Sequence, residues 1–340
     1  MANYSSSPQY RDTGAYRTGV LLVNSGTPDT LTTRHVRSFL KGLLGDRRTI
    51  EVSRLLWLPI LYGIILPLRP RRSARKYRKV WTEEGSPLLT FSKRLRTALA
   101  KNLSAGRGES VAVELGMLYS SPGVAAGLDA LRAAGAQSII VLPLFPQYSG
   151  TTNAAAFDQV AATLRNWRWL PELRFIADYH DDAAWLDALA ASIRAHREVH
   201  GNTEHLLMSF HGIPARYTTD GDPYFRKCER SAHAIAELLG LSGNWSFSFQ
   251  SRVGYERWLE PYTDETIVAL ARRGLKRIAV VCPGFAVDCL ETIEEIALDY
   301  GGQFRAAGGE ELLYIPALND TDAHVSALAA IIHSHARQLS

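Results

Sequence analysis

Cysteine is scarce in this chain, three in 340 residues, and that scarcity excludes several architectures. Cys228, Cys282 and Cys289 form an odd set with no Cys-x-x-Cys pair, which argues against a disulfide framework and for a reducing compartment. Long hydrophobic runs are missing too. The longest uncharged apolar stretch, Leu55 to Leu68, has fourteen residues, short of the ~18–20 needed to cross a bilayer. No excess of one charge stands out, and a net charge of +4 is too small to imply nucleic-acid binding. The first sixteen residues lack an apolar segment, so they read as a disordered lead-in rather than a secretory signal. The expected location is cytoplasmic.

What is present describes an ordinary globular chain, 46% hydrophobic and 21% charged, long enough for two domains. Strand-like apolar runs alternate with helical patterns, which argues for parallel βαβ architecture. The two halves echo each other. Ala130-Leu131-Arg132-Ala133-Ala134-Gly135 precedes Ser138-Ile139-Ile140-Val141-Leu142-Pro143, as Ala269-Leu270-Ala271-Arg272-Arg273-Gly274 precedes Ile278-Ala279-Val280-Val281-Cys282-Pro283. Ser25-Gly26-Thr27-Pro28 matches His211-Gly212-Ile213-Pro214, and Pro122 matches Pro261. The fold class expected is therefore α/β: two similar Rossmann-like domains, each a parallel sheet of the four-stranded type flanked by helices, with a cleft between them. The boundaries expected are 17–175 for the first domain and 176–315 for the second. A terminal helix, 316–340, is expected to pack back on the first.

The repeat exposes an insertion. Gly26 to Pro122 spans 96 positions and Gly212 to Pro261 only 49, so the first half carries about 47 extra residues, lying within 45–90. They include the Leu55–Leu68 run, followed at once by Arg69, Arg71, Arg72, Arg75, Lys76, Arg78 and Lys79. Trp57, Tyr62, two prolines and a glycine suggest an adaptable lip rather than a packed helix. An apolar lip backed by arginines suits a flat hydrophobic ligand with carboxylates, and equally an anionic bilayer surface.

The run Ser209-Phe210-His211-Gly212-Ile213-Pro214 ends an apolar strand with a lone histidine and a turn, and Gly221-Asp222-Pro223-Tyr224 follows. In open α/β sheets ligands bind outside the carboxyl ends of strands, so His211 stands where chemistry is expected. Asp288-x-x-Glu291 reads first as a capping pattern that opens a helix. Glu291 and Glu295, four apart, share a helix face.

These motifs, with Leu22–Pro28, Leu142–Ser149, Phe249–Arg252, Trp258–Thr263 and Cys282–Thr292, resemble the ferrochelatase family, in the family's order, from Thr18 to Pro316. The resemblance implies insertion of ferrous iron into protoporphyrin IX to form protohaem, the terminal step of haem synthesis. It implies His211 and Glu291 as catalytic and metal-contacting residues, and a proton or metal path continuing through Glu295. It implies Arg69, Tyr77, Ser86 and Tyr148 as porphyrin contacts, with Arg71 and Arg72 as alternatives to Arg69 for a propionate. Iron is then a substrate, no cofactor is tightly bound, and contact with the anionic inner membrane is peripheral. An iron–sulfur cluster, which takes four ligands, is not expected of three cysteines. Some family members carry a second histidine where this chain has Cys289. Two alternatives stay open: a coproporphyrin or other tetrapyrrole chelatase of the same fold, and a non-catalytic tetrapyrrole- or metal-binding protein.

Overall fold

The computed structural model describes residues 17–105, 111–254 and 256–337; the expected lead-in, 1–16, lies outside the described residues. The chain divides into two units. The first comprises Met1–Phe145, Gly150–Asp178 and Leu328–Ser340, the second Pro146–Ser149 and Tyr179–Ala327.

The first unit runs β1 (Thr18–Asn24), α1 (Thr33–Gly45), α2 (Arg54–Ile60), a π-helical turn (Leu61–Ile65), α3 (Leu66–Val80), α4 (Pro87–Ser104), β2 (Ala112–Met117), α5 (Val124–Ala133) and β3 (Ser138–Pro143). A second π turn (Gly150–Ala154), α6 (Ala155–Leu164) and β4 (Glu172–Phe175) complete its sheet. The second unit contains α7 (Ala183–His200), β5 (His205–His211), α8 (Ala215–Thr219), α9 (Tyr224–Leu238), β6 (Trp245–Gln250), α10 (Thr263–Arg272) and β7 (Arg277–Val281). A ten-residue π-helix (Glu291–Tyr300), α11 (Gly301–Ala306), β8 (Glu311–Ile315) and α12 (Asp322–Arg337) follow, the last helix running on into the first unit.

Both sheets are wholly parallel and share one strand order, β2-β1-β3-β4 and β6-β5-β7-β8. This is the arrangement a collinear repeat predicts. The inner strands are nearly continuous apolar runs because helices cover both faces of a parallel sheet. Close packing at β2 requires glycine: a Cβ on Gly116 would lie 2.8 Å from Val124 Cα, on the helix pressed against it.

The insertion differs from its expected form. The chain from Arg54 to Val80 is helical throughout, although Pro59, Pro67 and Pro70 lie within it. Proline removes a helical N–H and crowds the preceding turn; the π turn Leu61–Ile65, between Pro59 and Pro67, shifts the hydrogen-bond register there instead of ending the helix. Trp57 and Arg54 anchor its start, the indole Nε1 donating to Leu44 O (2.7 Å) and the guanidinium to Gly45 O (2.7 Å). These are end carbonyls of α1, which lack intrahelical partners. Leu66, Pro70, Ala74, Tyr77 and Val80 recur at three- and four-residue spacing and form the buried face of α3, which packs on α1. The opposite character is as clear: Leu55 is 88% exposed, Leu68 70%, and Leu56, Ile60, Tyr62 and Ile64 are also exposed. No helix among the described residues is long and apolar enough to cross a membrane.

In α12 the fully buried His324 donates from Nδ1 to Asn319 O (2.6 Å), since a carbonyl only accepts. Its Nε2 is buried without a hydrogen-bond partner among the described residues. A proton there would be an unsatisfied buried charge, and burial lowers the imidazole pKa to about 4. Below its ordinary value of 6.5 the unfolded chain binds this proton and the folded one does not. The resulting stability is therefore complete above about pH 6.5 and is lost as pH falls toward 4; the shift corresponds to roughly 3 kcal/mol. Denaturant midpoints measured across this window should fall with pH in the native sequence, and His324→Gln should flatten that slope.

Candidate functional site

His211 is the last residue of β5, where the buried strand becomes half-exposed. Its Nδ1 meets Gly212 O at 2.6 Å, and because the carbonyl is an acceptor, Nδ1 carries the hydrogen. Nε2 is left as the basic lone pair, able to accept a proton or ligate a metal ion. The Phe285 ring stands 6.4 Å from the imidazole, inclined by 53°. Gly212 is needed for close approach, since a Cβ would sit 3.0 Å from Gln250 O and 3.2 Å from the Trp258 ring.

Gln250, at the end of β6, is paired with His211 in the sheet register. Its backbone carbonyl accepts from Gly212 N at 2.8 Å. Its side-chain Nε2 donates to the backbone carbonyl of Glu291 at 2.9 Å, and its Oε1 accepts from Ser209 Oγ at 2.7 Å. Ser209 continues through Thr263 Oγ1 to Ser248, each step 2.8 Å. This buried polar chain is satisfied along its length, as burial demands. One residue thus joins the strand end that carries His211 to the first residue of the π-helix.

Glu291 opens that helix and is half-buried. The expected capping role of Asp288 is not realised. The N-cap residue is Leu290, with no side-chain cap bond. The Asp288 carboxylate instead accepts from Thr292 Oγ1 (2.9 Å), Asn319 Nδ2 (2.8 Å), Ala317 N (3.3 Å) and the Tyr314 hydroxyl. Those partners come from the helix itself and from the segment around the end of β8, so Asp288 binds the start of the π-helix to the sheet edge. Burial, and then the adjacent Glu291 carboxylate, push the Cys289 thiol well above its ordinary range. A sulfur held as a thiol is a poor metal ligand.

Glu295 lies four residues further along the same π-helix. Its Oε1 accepts from Ser251 N (2.8 Å) and the Tyr300 hydroxyl (2.6 Å), and its Oε2 from Ser251 Oγ (2.6 Å). Burial and the same carboxylate raise the Tyr300 phenol far above its ordinary pKa, so it remains a donor.

Tyr148 belongs to the second unit, in a loop whose neighbours are pinned. Gln147 Nε2 donates to Ser231 Oγ (3.0 Å) and Ser149 Oγ to Asp222 Oδ2 (2.9 Å). Asp222 also accepts from Tyr224 N (2.9 Å), which gives the Gly-Asp-Pro-Tyr motif its structural use. Tyr148 itself is half-buried between two buried residues. The second unit therefore holds His211, Glu291, Glu295 and Tyr148.

Arg69, Tyr77 and Ser86 belong to the first unit. Arg69 is half-buried on α3, and burial followed by the nearby Arg72 guanidinium lowers its pKa. No carboxylate among the described residues pairs with it, whereas Arg71, Arg72 and Arg75 are exposed. Tyr77 is buried edge-on to Phe39 (6.4 Å) and Trp81 (6.3 Å). Ser86 is the buried N-cap residue of α4.

The family model for ferrochelatase matches residues 17–336. A ferrochelatase of Thioalkalivibrio sulfidiphilus is 52% identical over 330 residues, covering 97% of this chain and 89% of that protein. A ferrochelatase of Nitrosococcus oceani is 49% identical over 334 residues, covering 98% and 90%. Among solved structures, SirB from Bacillus subtilis with Fe3+ shares the fold at a TM-score of 0.55 and 11% identity, over 94% of this chain and 95% of that one. With its paired parallel sheets, its strand-end histidine and its extended similarity to these proteins, the chain belongs to the ferrochelatase family.

Proposed function

We propose that this protein inserts ferrous iron into protoporphyrin IX, with His211 as the proton acceptor and Glu291 as its partner. The observation that carries the reading is the fixed His211 tautomer, with Nε2 basic, on a strand end tied through Gln250 to Glu291. The reaction exchanges two pyrrole N–H bonds for bonds from the four ring nitrogens to iron and releases two protons; no electron moves. A neutral imidazole suits proton removal near pH 7, and the carboxylate of a residue whose backbone the same glutamine holds suits a divalent cation that is shedding water. Among the described residues neither group belongs to a cluster of three or more metal-ligating side chains, which fits a metal that must be passed on. Arg69, half-buried and without an acidic partner among the described residues, is the arginine we assign to a porphyrin propionate. Tyr77 and Ser86 are assigned with it as porphyrin contacts of the first unit, and Tyr148 as one of the second.

His211→Ala should lower turnover by the ~10²–10⁴-fold typical of a lost general base. Glu291→Gln should lower it comparably while the melting temperature stays near that of the parent, because the contacts seen at Glu291 from Gln250 run to its backbone. The assay is the appearance of metalloporphyrin absorbance from ferrous iron with protoporphyrin and, separately, coproporphyrin. Turnover of coproporphyrin alone, or binding of porphyrin without turnover, would sink the substrate assignment.

The same reading includes peripheral contact with an anionic membrane through the exposed apolar side chains of α2 and the following turn, beside the basic residues of α3. Each basic residue near anionic lipid contributes roughly 1 kcal/mol, a contribution that salt screens. Cosedimentation with phosphatidylserine-containing vesicles should therefore be seen at low salt and decline as salt rises. Replacing Leu55, Leu56 and Ile64 by Ser should abolish it with little change in folding, since all three are exposed; Trp57 is unsuitable for this test because it anchors the helix. No vesicle binding at low salt would remove the membrane contact.

A further inference from the structure

Glu295 is the carboxylate expected to extend a path away from Glu291, yet its oxygens are already occupied. Three donors converge on it, Ser251 N, Ser251 Oγ and the Tyr300 hydroxyl, at 2.6–2.8 Å. Ser251 is also one of only two non-glycine residues with positive φ among the described residues (+66°). That conformation is uncommon for a residue with a Cβ and is held only where its surroundings over-determine it. Glu295 does this by gripping both the amide and the hydroxyl of one residue, a two-point hold that fixes orientation as well as position. The residue gripped directly follows Gln250, whose carbonyl receives Gly212 N and whose amide holds the Glu291 carbonyl.

We propose that Glu295 is a positioning residue. Through Ser251 and Gln250 it sets the geometry of Glu291 against His211, and it carries neither protons nor iron. The proposal rests on the assignment of His211 and Glu291 made above. Because the hold starts in the π-helix (Glu295, Tyr300) and ends in the residue after β6, it closes a ring. From Glu291 the ring passes through Gln250 to Ser251, crosses to Glu295 and returns along the helix to Glu291. Loosening any member lets the others drift, and a displacement of about 1 Å at a reacting group costs on the order of 10²-fold in rate.

Glutamine separates position from charge. In Glu295→Gln, Oε1 still accepts from Ser251 N and the Tyr300 hydroxyl, and the amide donates to Ser251 Oγ, which turns from donor to acceptor. Glu295→Ala removes every contact. The Ala variant should lose on the order of 10²-fold in kcat with the KM for porphyrin nearly unchanged. The Gln variant should recover kcat to within about fivefold of the parent, neutral hydrogen bonds being weaker than charged ones. If Ala fails to fold, Ser251→Ala with Tyr300→Phe removes two of the three donors while leaving the carboxylate, and should itself lower kcat at unchanged KM. A Gln variant as inactive as Ala means that the charge does the work, and overturns the proposal. Parent-like kcat in Ala, or in the Ser251 and Tyr300 pair, overturns it too. His211→Ala, assayed alongside, tests the underlying assignment separately: parent-like turnover there defeats that assignment, whatever Glu295 does.

Discussion

In the second unit the side-chain amide of Gln250 faces two ways, and the arrangement of the two groups proposed to react, His211 and Glu291, depends on it. Its oxygen takes the Ser209 hydroxyl from within the sheet, and its nitrogen takes the Glu291 carbonyl at the start of the π-helix. Glutamine is suited to this because it offers an acceptor and a donor on one short plane. An ionised glutamate here would leave the Glu291 carbonyl facing an acceptor, and a leucine would strand several buried polar groups. The buried Asp288 does for the same turn what Gln250 does from the sheet, so the backbone that carries Glu291 is fixed by its surroundings. Such preorganisation is the main thing a protein adds to a reaction whose bonds are made by the metal and the macrocycle.

The two repeats keep one topology and use it differently. In the first, the connection between β1 and β2 holds α1, α2, a π turn, α3 and α4; in the second, the equivalent connection holds only α8 and α9. The excess sits in a connection, where added length costs little, and the strands are untouched. The second repeat places its unusual backbone elsewhere, in a ten-residue π-helix and at the positive φ of Ser251. Both departures follow strands at their carboxyl ends, the part of a parallel sheet where loops diverge at least cost to the core.

Much of the fold could be read from residue order. The apolar runs, the repeated Ala-Leu-x-x-x-Gly segments and the matched prolines gave two parallel sheets of one design, because covered parallel strands leave a continuous hydrophobic signature. The strand-end position of His211 was legible for the same reason, because such a run stops there. The helix from Arg54 to Val80 was not, since two prolines and a glycine beside Trp57 and Tyr62 suggested an adaptable lip, and only the π turn shows how the prolines are accommodated. Nor was the duty of Asp288: a capping pattern is local in sequence, whereas its partners Tyr314, Ala317 and Asn319 arrive from some thirty residues away. Gln250 and Ser251 lay inside a recognised motif with no role attached, because a side chain bonded to a distant backbone carbonyl leaves no periodicity to detect.

The helix that begins at Arg54 grows from the end of α1 and is held there by an indole and a guanidinium on two backbone carbonyls. Carbonyls are present whatever the side chains of Leu44 and Gly45 become, so the attachment survives sequence drift at the receiving end. The exposed apolar residues beyond it make few demands on the rest of the chain. That face can therefore be retuned residue by residue, while the buried polar ring around Gln250 changes only by concerted steps. The protein is built to evolve at two speeds.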